Sequence, residues 1–270
     1  MPRLARQALK WSAVGADRLR PPPPGVVVLI YHRVGARTAL DVDLPIGRFE
    51  EQMQTLAETG RVCSIDAALD RLERPGLSGG DPIVITFDDG TADFADLAMP
   101  VLDHYQLPAT LYVATEVVDQ RRAFPHDGLP LSWAALGEAR ASGLITVGSH
   151  THTHALLDRL PAAAIEVELD VADDLIETHL GARPTHFAYP KAVAGSSLAD
   201  AAVRTRYRSA ALAGTRPNRY GQTDPHRLAR TPIQRSDGMR FFGAKLQGGM
   251  HLEDRLRMAA NKWRYRDATE

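Results

Sequence analysis

Two short segments of this chain carry residue types that bind metals and transfer protons. Asp88 and Asp89 directly follow an apolar run, and His150 and His154 follow a second apolar run farther along the chain. Short apolar runs bounded by polar residues are typical of buried strands. Because successive side chains leave a strand on opposite sides, the two aspartates are expected to have different roles.

The residue types suit a catalytic metal site. A catalytic zinc site uses three nitrogen or carboxylate ligands from the protein and leaves one position open. Asp89, His150 and His154 complete a set of this kind, which leaves Asp88 to accept a proton. A bound cation lowers the pKa of water toward ~7 and polarises a carbonyl oxygen, so the pattern predicts hydrolysis of an amide or an ester.

A structural interpretation of each segment stays open. An Asp-Asp-Gly sequence alone is typical of a turn, because aspartate and glycine accept turn geometry at little cost. A pair of histidines alone is usually structural. Both segments, however, come just past predicted strands, where the catalytic groups of α/β barrels collect. Their joint occurrence favours the metal site.

Residues 86–90 resemble the first motif, and residues 150–154 the second, of the polysaccharide deacetylases, carbohydrate esterase family four. Members of that family remove acetyl groups from N-acetylated sugars. In the family, the first aspartate is the general base, and the second aspartate and the two histidines hold the metal. The resemblance implies these roles for Asp88 and for Asp89 with the two histidines, and it extends over residues 26–233.

An early Tyr-His pair, Tyr31 and His32, resembles the opening motif of a subgroup that processes exopolysaccharides. In that subgroup, the early histidine takes the place of a general acid that other members supply from a late Leu-x-His motif. This chain has no late Leu-x-His, so His32 is predicted to protonate the leaving amine, a role within reach of the ordinary histidine pKa. The alternative is a histidine satisfied by a backbone carbonyl.

Residues 187–190 resemble the third motif of the same subgroup, and Tyr189, Pro190 and Lys191 are expected to contact the substrate. The chain departs from the family pattern here, because Lys191 and Ala192 stand where Tyr-Gly is usual. A backbone N–H near Lys191 is expected to hold the oxyanion, and backbone donors survive side-chain changes. The loss of glycine restricts the conformations open to this loop.

A late Leu-x-Arg sequence ends at Arg230 and resembles a further motif of the family. Its guanidinium is expected to pair with Asp88 and to keep that carboxylate ionised, because a nearby positive charge lowers the pKa of an acid. A solvated arginine on the surface is the alternative.

Strand-like and helix-like runs alternate along the chain, which favours a parallel sheet covered by helices. The pattern alone does not distinguish a closed barrel from an open doubly wound sheet. The family resemblance implies the barrel: a distorted (β/α) barrel of about seven parallel strands with outer helices. The predicted strands are 26–31, 83–87, 109–113, 144–148, 186–189, 208–211 and 228–233, and the predicted helices are 49–58, 65–73, 94–105, 133–141, 162–179 and 198–205.

Four segments are predicted along the chain: a basic amphipathic helix over 1–20, a proline-rich spacer over 21–25, the barrel over 26–250 and a second amphipathic helix over 251–270. Basic amphipathic helices either pack on their own domain or lie on an anionic membrane. Peripheral contact with the inner face of the membrane is therefore an open expectation. No apolar run is long enough to span a bilayer.

Composition agrees with an enzyme of one domain in a reducing compartment. The net charge of −1 gives no reason to expect nucleic acid as a partner. The single cysteine, Cys63, excludes an internal disulfide. Because basic residues interrupt the first twenty positions, no cleavable signal peptide is expected, and the expected location is the cytoplasm.

The sequence thus predicts a metal-dependent N-deacetylase acting on an acetylated sugar of a polysaccharide, an oligosaccharide or a glycolipid. Zinc is the expected metal, and cobalt or nickel would suit the same mixed ligands. Two alternatives remain open. His150, His152 and His154 alternate as in amidohydrolase barrels, which would make the protein a different metal-dependent C–N hydrolase. The Lys191 substitution and the absent late histidine would fit an inactive relative that binds carbohydrate.

Overall fold

A closed barrel of seven parallel strands forms the centre of the protein. The computed structural model describes residues 3–74, 80–126 and 128–254. The seven strands stand around the barrel in the order in which they occur along the chain, and the last pairs with the first to close it. The barrel strands are β1 (Val27–Tyr31), β4 (Ile83–Phe87), β5 (Ala109–Val113), β6 (Ile145–Ser149), β7 (His186–Ala188), β8 (Ser209–Ala213) and β9 (Leu228–Pro232).

The seven predicted strands are all present, and the expectation of a distorted (β/α) barrel is confirmed. Nearly every strand residue is buried on both faces, because side chains point either into the barrel or against the outer helices. Parallel strands covered in this way appear in the sequence as continuous apolar runs. This explains why the strands could be located from apolar runs in the sequence.

Helices cover the outside of the barrel, and the six predicted helical segments are found in the structure. The segment predicted as 94–105 begins with a wider π-helical turn, Phe94–Ala98, before it continues as an α-helix. Pro100 explains the change, since proline has no N–H and crowds the carbonyl four residues earlier. The helices are α1 (Arg3–Leu19), α2 (Ile46–Thr59), α3 (Ile65–Glu73), α4 (Met99–His104), α5 (Thr115–Asp119), α6 (Trp133–Ala141), α7 (Ala162–Leu180), α8 (Ser197–Arg206) and α9 (Gly238–Leu246).

A short parallel pair, β2 (Arg33–Val34) with β3 (Asp43–Leu44), extends the chain beyond the end of β1. His32 is the single residue between β1 and β2. The β2 backbone is fixed by Asp93, whose buried carboxylate accepts a hydrogen bond from the Val34 N–H at 2.5 Å. His32 is therefore held between two ordered strands at the carboxyl end of the barrel.

The predicted division of the chain at residues 20, 25 and 250 stays a prediction. Helix α1 occupies most of the first segment, and residues 251–254 are helical. The remainder of the second amphipathic segment, 255–270, lies outside the described residues. None of the described helices is both long enough and apolar enough to cross a bilayer.

Asp173 on α7 is a buried acid away from the mouth of the barrel, and it accepts a hydrogen bond from the Tyr207 hydroxyl at 2.7 Å. Burial raises the pKa of Asp173 to about 6, although Tyr207 and Arg183 act in the opposite direction. Because the folded pKa lies above the ordinary value of 3.8, folding is favoured at low pH, and this contribution is lost as the pH rises through about 6.

Replacing Asp173 by asparagine tests this linkage. Asp173→Asn keeps a hydrogen-bond acceptor for Tyr207 and removes the ionisation. We expect its free energy of unfolding at pH 8 to exceed that of the wild type by about 3 kcal/mol, with little difference below pH 4. Urea denaturation at both pH values measures the effect. The exposed neighbour provides the control, since Asp174→Asn should show no such pH dependence; an equal shift at both pH values in Asp173→Asn would contradict the prediction.

Candidate metal and catalytic site

The side chains predicted to do chemistry lie at the carboxyl ends of the barrel strands. Asp88 and Asp89 follow β4, and His150 and His154 follow β6. Because all seven strands are parallel, their carboxyl ends open at the same mouth of the barrel. The barrel therefore gathers residues that are distant in sequence.

Asp89, His150 and His154 form a cluster with metal-site geometry. Each offers one ligand atom, and the three atoms lie within 4.8 Å of one another. The Asp89 Oδ1 atom is 3.8 Å from Nε2 of His150 and 3.5 Å from Nε2 of His154. These distances are too long for hydrogen bonds. They match the separation of about 3.4 Å expected between two ligands that share one tetrahedral cation at ~2.1 Å.

The orientation of the His150 ring also fits a metal ligand. Its Nδ1 atom lies 2.7 Å from the Ala188 carbonyl oxygen, which can only accept a hydrogen bond. The carbonyl therefore holds an N–H at Nδ1, which leaves Nε2 as the ring atom turned toward Asp89. A backbone carbonyl that fixes the ring in this way is a usual partner of metal-bound histidine. The residues present thus fit a divalent cation.

His154 is neutral at physiological pH. Burial lowers its pKa to about 4, helped by the nearby His150 and Lys191 and opposed by Asp89. A neutral imidazole keeps a lone pair available to a cation. The backbone is strained at two of the three clustered residues, because Asp89 (φ 76°) and His154 (φ 64°) both adopt the left-handed conformation. Non-glycine residues in this region are uncommon and collect at functional sites.

Asp88 is not one of the three clustered residues and instead forms a buried ion pair with Arg230. Both of its carboxylate oxygens are bound by Arg230, at 2.5 Å from Nη1 and 2.8 Å from Nη2. Burial alone would raise the pKa of Asp88, but Arg230, with smaller contributions from His150 and His32, lowers it to about 2. Asp88 is therefore an anion at neutral pH, with both oxygens fixed in place.

Arg230 is fully buried, so the surface interpretation of this residue is wrong. Its guanidinium donates to the Thr86 hydroxyl at 3.1 Å and stacks over the Tyr112 ring, 5.0 Å from the centroid. Thr86 in turn donates to the Leu29 carbonyl at 2.7 Å. Sequence reasoning did not single out the side chains of Thr86 and Tyr112. In the sequence, these two residues appear only as a polar and an aromatic residue on predicted strands. That pattern does not show whether a side chain supports a site or simply packs in the core.

His32 lies near Asp88 at the end of β1. The alternative in which a backbone carbonyl satisfies its ring is not observed, because Nδ1 is buried and has no hydrogen-bond partner among the described residues. Its positive charge, when protonated, contributes to the low pKa of Asp88, which places the two groups within electrostatic reach. The role of His32 as an acid stays a prediction.

The third motif forms a tight turn after β7. Lys191 (φ 51°) and Ala192 (φ 56°) both adopt the left-handed conformation, although neither is a glycine. Because neither residue is a glycine, the backbone of this loop is strained at both positions. Tyr189 differs from its predicted role, because its ring is buried against Phe187 and its hydroxyl donates to Asp200 at 3.4 Å. The Tyr189 side chain packs the core instead of lining the mouth, and Pro190 is also buried.

His152 is separate from the metal cluster. Its Nδ1 atom is 2.9 Å from the Thr115 hydroxyl, and its backbone N–H donates to the buried Glu168 carboxylate at 3.0 Å. The chain leaves the strand after β6 and turns at Thr151 (φ 65°), so the three histidines do not share one face. This geometry does not fit the amidohydrolase-like alternative.

Comparison with known proteins agrees with the geometry. The polysaccharide deacetylase family profile matches residues 77–210, a segment that includes both aspartates and both histidines of the site. This chain belongs to the polysaccharide deacetylase family. His32 and Arg230 lie outside the matched segment, so the deacetylase roles predicted for them depend on the geometry described above.

Solved structures share the fold of this deacetylase-family chain over most of its length. The structure is similar to IcaB from Ammonifex degensii, with a TM-score of 0.72 and 25% identity over 84% of this chain and 98% of that chain. It shares its fold with the Streptococcus pyogenes deacetylase PplD, with a TM-score of 0.70 and 20% identity over 83% of this chain and 98% of that chain. The Bacillus subtilis (strain 168) protein YxkH is 25% identical over 187 residues, which are 68% of this chain and 63% of YxkH.

The ligand assignment in this deacetylase-family site can be tested with two histidines of the same loop. His154→Ala removes one of three ligands, so we expect the affinity for zinc to fall by more than about 100-fold. His152→Ala removes a histidine two positions away that lies outside the cluster, and it should bind zinc as the wild type does. Zinc stoichiometry and titration calorimetry measure both. Equal loss of metal in the two variants would show that the assignment is wrong.

Proposed function

We propose that this chain is a metal-dependent N-deacetylase that removes the acetyl group from an N-acetylated sugar of a glycan or glycolipid. The family supplies the reaction class, and this chain spans only 63% of YxkH, so the activity itself is a proposal. The observation that carries it is a buried carboxylate, Asp88, held by Arg230 beside the Asp89–His150–His154 cluster. PplD was solved in complex with acetate, which is the acid that this reaction would release.

The proposed metal ligands are Asp89, His150 and His154. A divalent cation held by them would polarise the acetyl carbonyl and lower the pKa of water. Zinc is the proposed ion, because nitrogen and carboxylate ligands in a set of three suit a catalytic zinc site. Cobalt and nickel accept the same ligands.

Asp88 is the proposed proton acceptor. Its two oxygens remain anionic above a pH of about 4, since the pKa of the carboxyl group is about 2. The bidentate contact with Arg230 prevents rotation of the carboxylate, so the acceptor does not need to be oriented during the reaction. The low pKa also makes Asp88 a weak base, which is the cost of keeping a buried carboxylate ionised.

His32 is the proposed proton donor to the departing amine. Amides are hard to hydrolyse because the amine leaves poorly unless it is protonated. The Nδ1 atom of His32 is buried and lacks a partner in the described structure, and the ring is half-buried at the mouth. We propose that the turn containing Lys191 contributes a backbone N–H to the oxyanion, as the sequence resemblance implies.

The first test of the proposal is acetate release from N-acetylated oligosaccharides by the zinc-loaded protein. Asp88→Asn keeps the shape of the side chain and removes the proton acceptor, so we expect the rate to fall by ~10²-fold or more. Metal content should stay unchanged, because Asp88 lies outside the ligand cluster. Asp96→Asn, an exposed aspartate in the helical turn that follows the same strand, is the matched control and should keep full activity. An active Asp88→Asn protein would contradict the proposed mechanism.

His32→Ala distinguishes a proton donor from a positioning residue. An amide substrate needs a protonated leaving group, whereas an activated aryl acetate needs little protonation to leave. We expect kcat on the acetylated sugar to fall by ~10²-fold or more and kcat on the aryl acetate to fall by less than about tenfold. If both substrates lose activity equally, His32 only positions the substrate.

A further inference from the structure

Helix α1 packs against α9 and the residues flanking it, with two of its own charged residues facing inward. The Lys10 ammonium is fully buried and contacts Asp237 at 2.6 Å and Glu253 at 2.5 Å. About two turns farther along the helix, the Asp17 carboxylate accepts a hydrogen bond from the Met250 N–H at 2.6 Å. Ala13 lies between them and is completely buried. These contacts fix which side of α1 meets the protein.

The opposite side of α1 is apolar and exposed. Ala8, Trp11, Gly15 and Leu19 recur at helical spacing, and we refer to these four residues as the α1 face. All four are exposed, with Leu19 at 90% and Trp11 at 50% of full exposure. Apolar residues thus lie on both sides of α1, since Ala13 and Val14 pack inward against Phe241 and Met250.

Buried ion pairs explain why α1 does not rotate about its axis to bury the α1 face. Turning the α1 face inward would expose Ala13 and separate Lys10 from Asp237, and Asp237 would lose one of two ammonium partners, the other being Lys245 at 2.7 Å. Breaking a buried pair in this way is strongly unfavourable. The α1 face therefore stays exposed to solvent, although the Trp11 ring also makes an edge contact with the Phe241 ring.

The surroundings of the α1 face are basic. Arg18 and Arg20 are exposed next to Leu19, and the Arg240 guanidinium lies 4.7 Å from the centre of the Trp11 ring. Residues 3–20 contain five basic side chains and one acid, Asp17, within a chain whose net charge is −1. Lys10 and Asp17 both point inward, so the charge described beside the exposed face comes from Arg18, Arg20 and Arg240.

We propose that the α1 face lies on the surface of an anionic membrane. Apolar side chains surrounded by arginine match acyl chains and anionic headgroups, and tryptophan beside a cation suits the headgroup region. A second copy of the chain fits less well, because a two-fold contact would place the same face on both sides and bring arginine against arginine. This inference stands independently of the deacetylase reaction.

Sedimentation of the full-length protein with vesicles tests the proposal. We expect binding to phosphatidylcholine vesicles containing about one third phosphatidylglycerol, and none to vesicles of phosphatidylcholine alone. High salt should release the protein, since screening weakens its attraction to the headgroups. Absence of binding to the anionic vesicles would overturn the proposal.

Paired variants test whether the α1 face makes the contact. Leu19→Glu should lower the partition coefficient by at least about tenfold, and Arg18→Glu with Arg20→Glu should lower it by at least as much, because each basic residue near the surface contributes about fivefold. The matched controls are Leu198→Glu on α8, where the side chain is 60% exposed, and Arg219→Glu in an exposed loop, and both should bind normally.

Two controls distinguish a membrane surface from a second copy of the chain and from a loss of folding. The melting temperature of each variant should stay that of the wild type, because the changed side chains are exposed. If the wild type is a dimer that Leu19→Glu converts to a monomer, a second copy covers the face and the proposal is wrong. Equal loss of vesicle binding in Leu198→Glu would also overturn it, since the attachment would then not depend on α1.

Discussion

The buried pair of Asp88 with Arg230 is the interaction on which the site depends. Both groups lie inside the barrel, where removal from water costs several kcal/mol for each ion. That cost is offset by two charge-assisted hydrogen bonds and by the contacts of Arg230 with Thr86 and Tyr112. A pair of this kind adds little net stability compared with apolar residues of the same volume. Its consequence is instead functional, because it fixes an ionised carboxylate beside a metal-binding cluster.

The loops at the mouth of the barrel also contain strained backbone, which lowers stability but positions the site residues. Five of the ten described non-glycine residues with positive φ lie in the loops after β4, β6 and β7, namely Asp89, Thr151, His154, Lys191 and Ala192. Strained residues persist where the surrounding contacts over-determine them. Here those contacts include the Ala188 carbonyl, which orients His150, and the Glu168 carboxylate, which binds two backbone N–H groups of the same loop. The barrel supplies a rigid frame, and the loops use it to aim the ligands.

Buried charges also fix the orientation of helix α1 on the outside of the protein. Its orientation is decided by Lys10, which is buried in ionic contacts with residues from the end of the described chain. Ala13 and Val14 on the same side pack against Phe241 and Met250. Buried charges and apolar contacts together fix the orientation, and Trp11 and Leu19 stay exposed on the other side.

The sequence by itself determined the seven strands and the two motifs, because buried parallel strands are continuous apolar runs and the site residues directly follow two of them. It did not decide whether Arg230 was buried or solvated, whether the Tyr189 ring packed in the core, or which side of α1 met the rest of the protein. Those features depend on contacts between residues far apart in the chain. Arg230 reaches Asp88 only because closure of the barrel sets β9 beside β1, which in turn pairs with β4. Local patterns specify strands and helices, whereas such partners exist only after the barrel has closed.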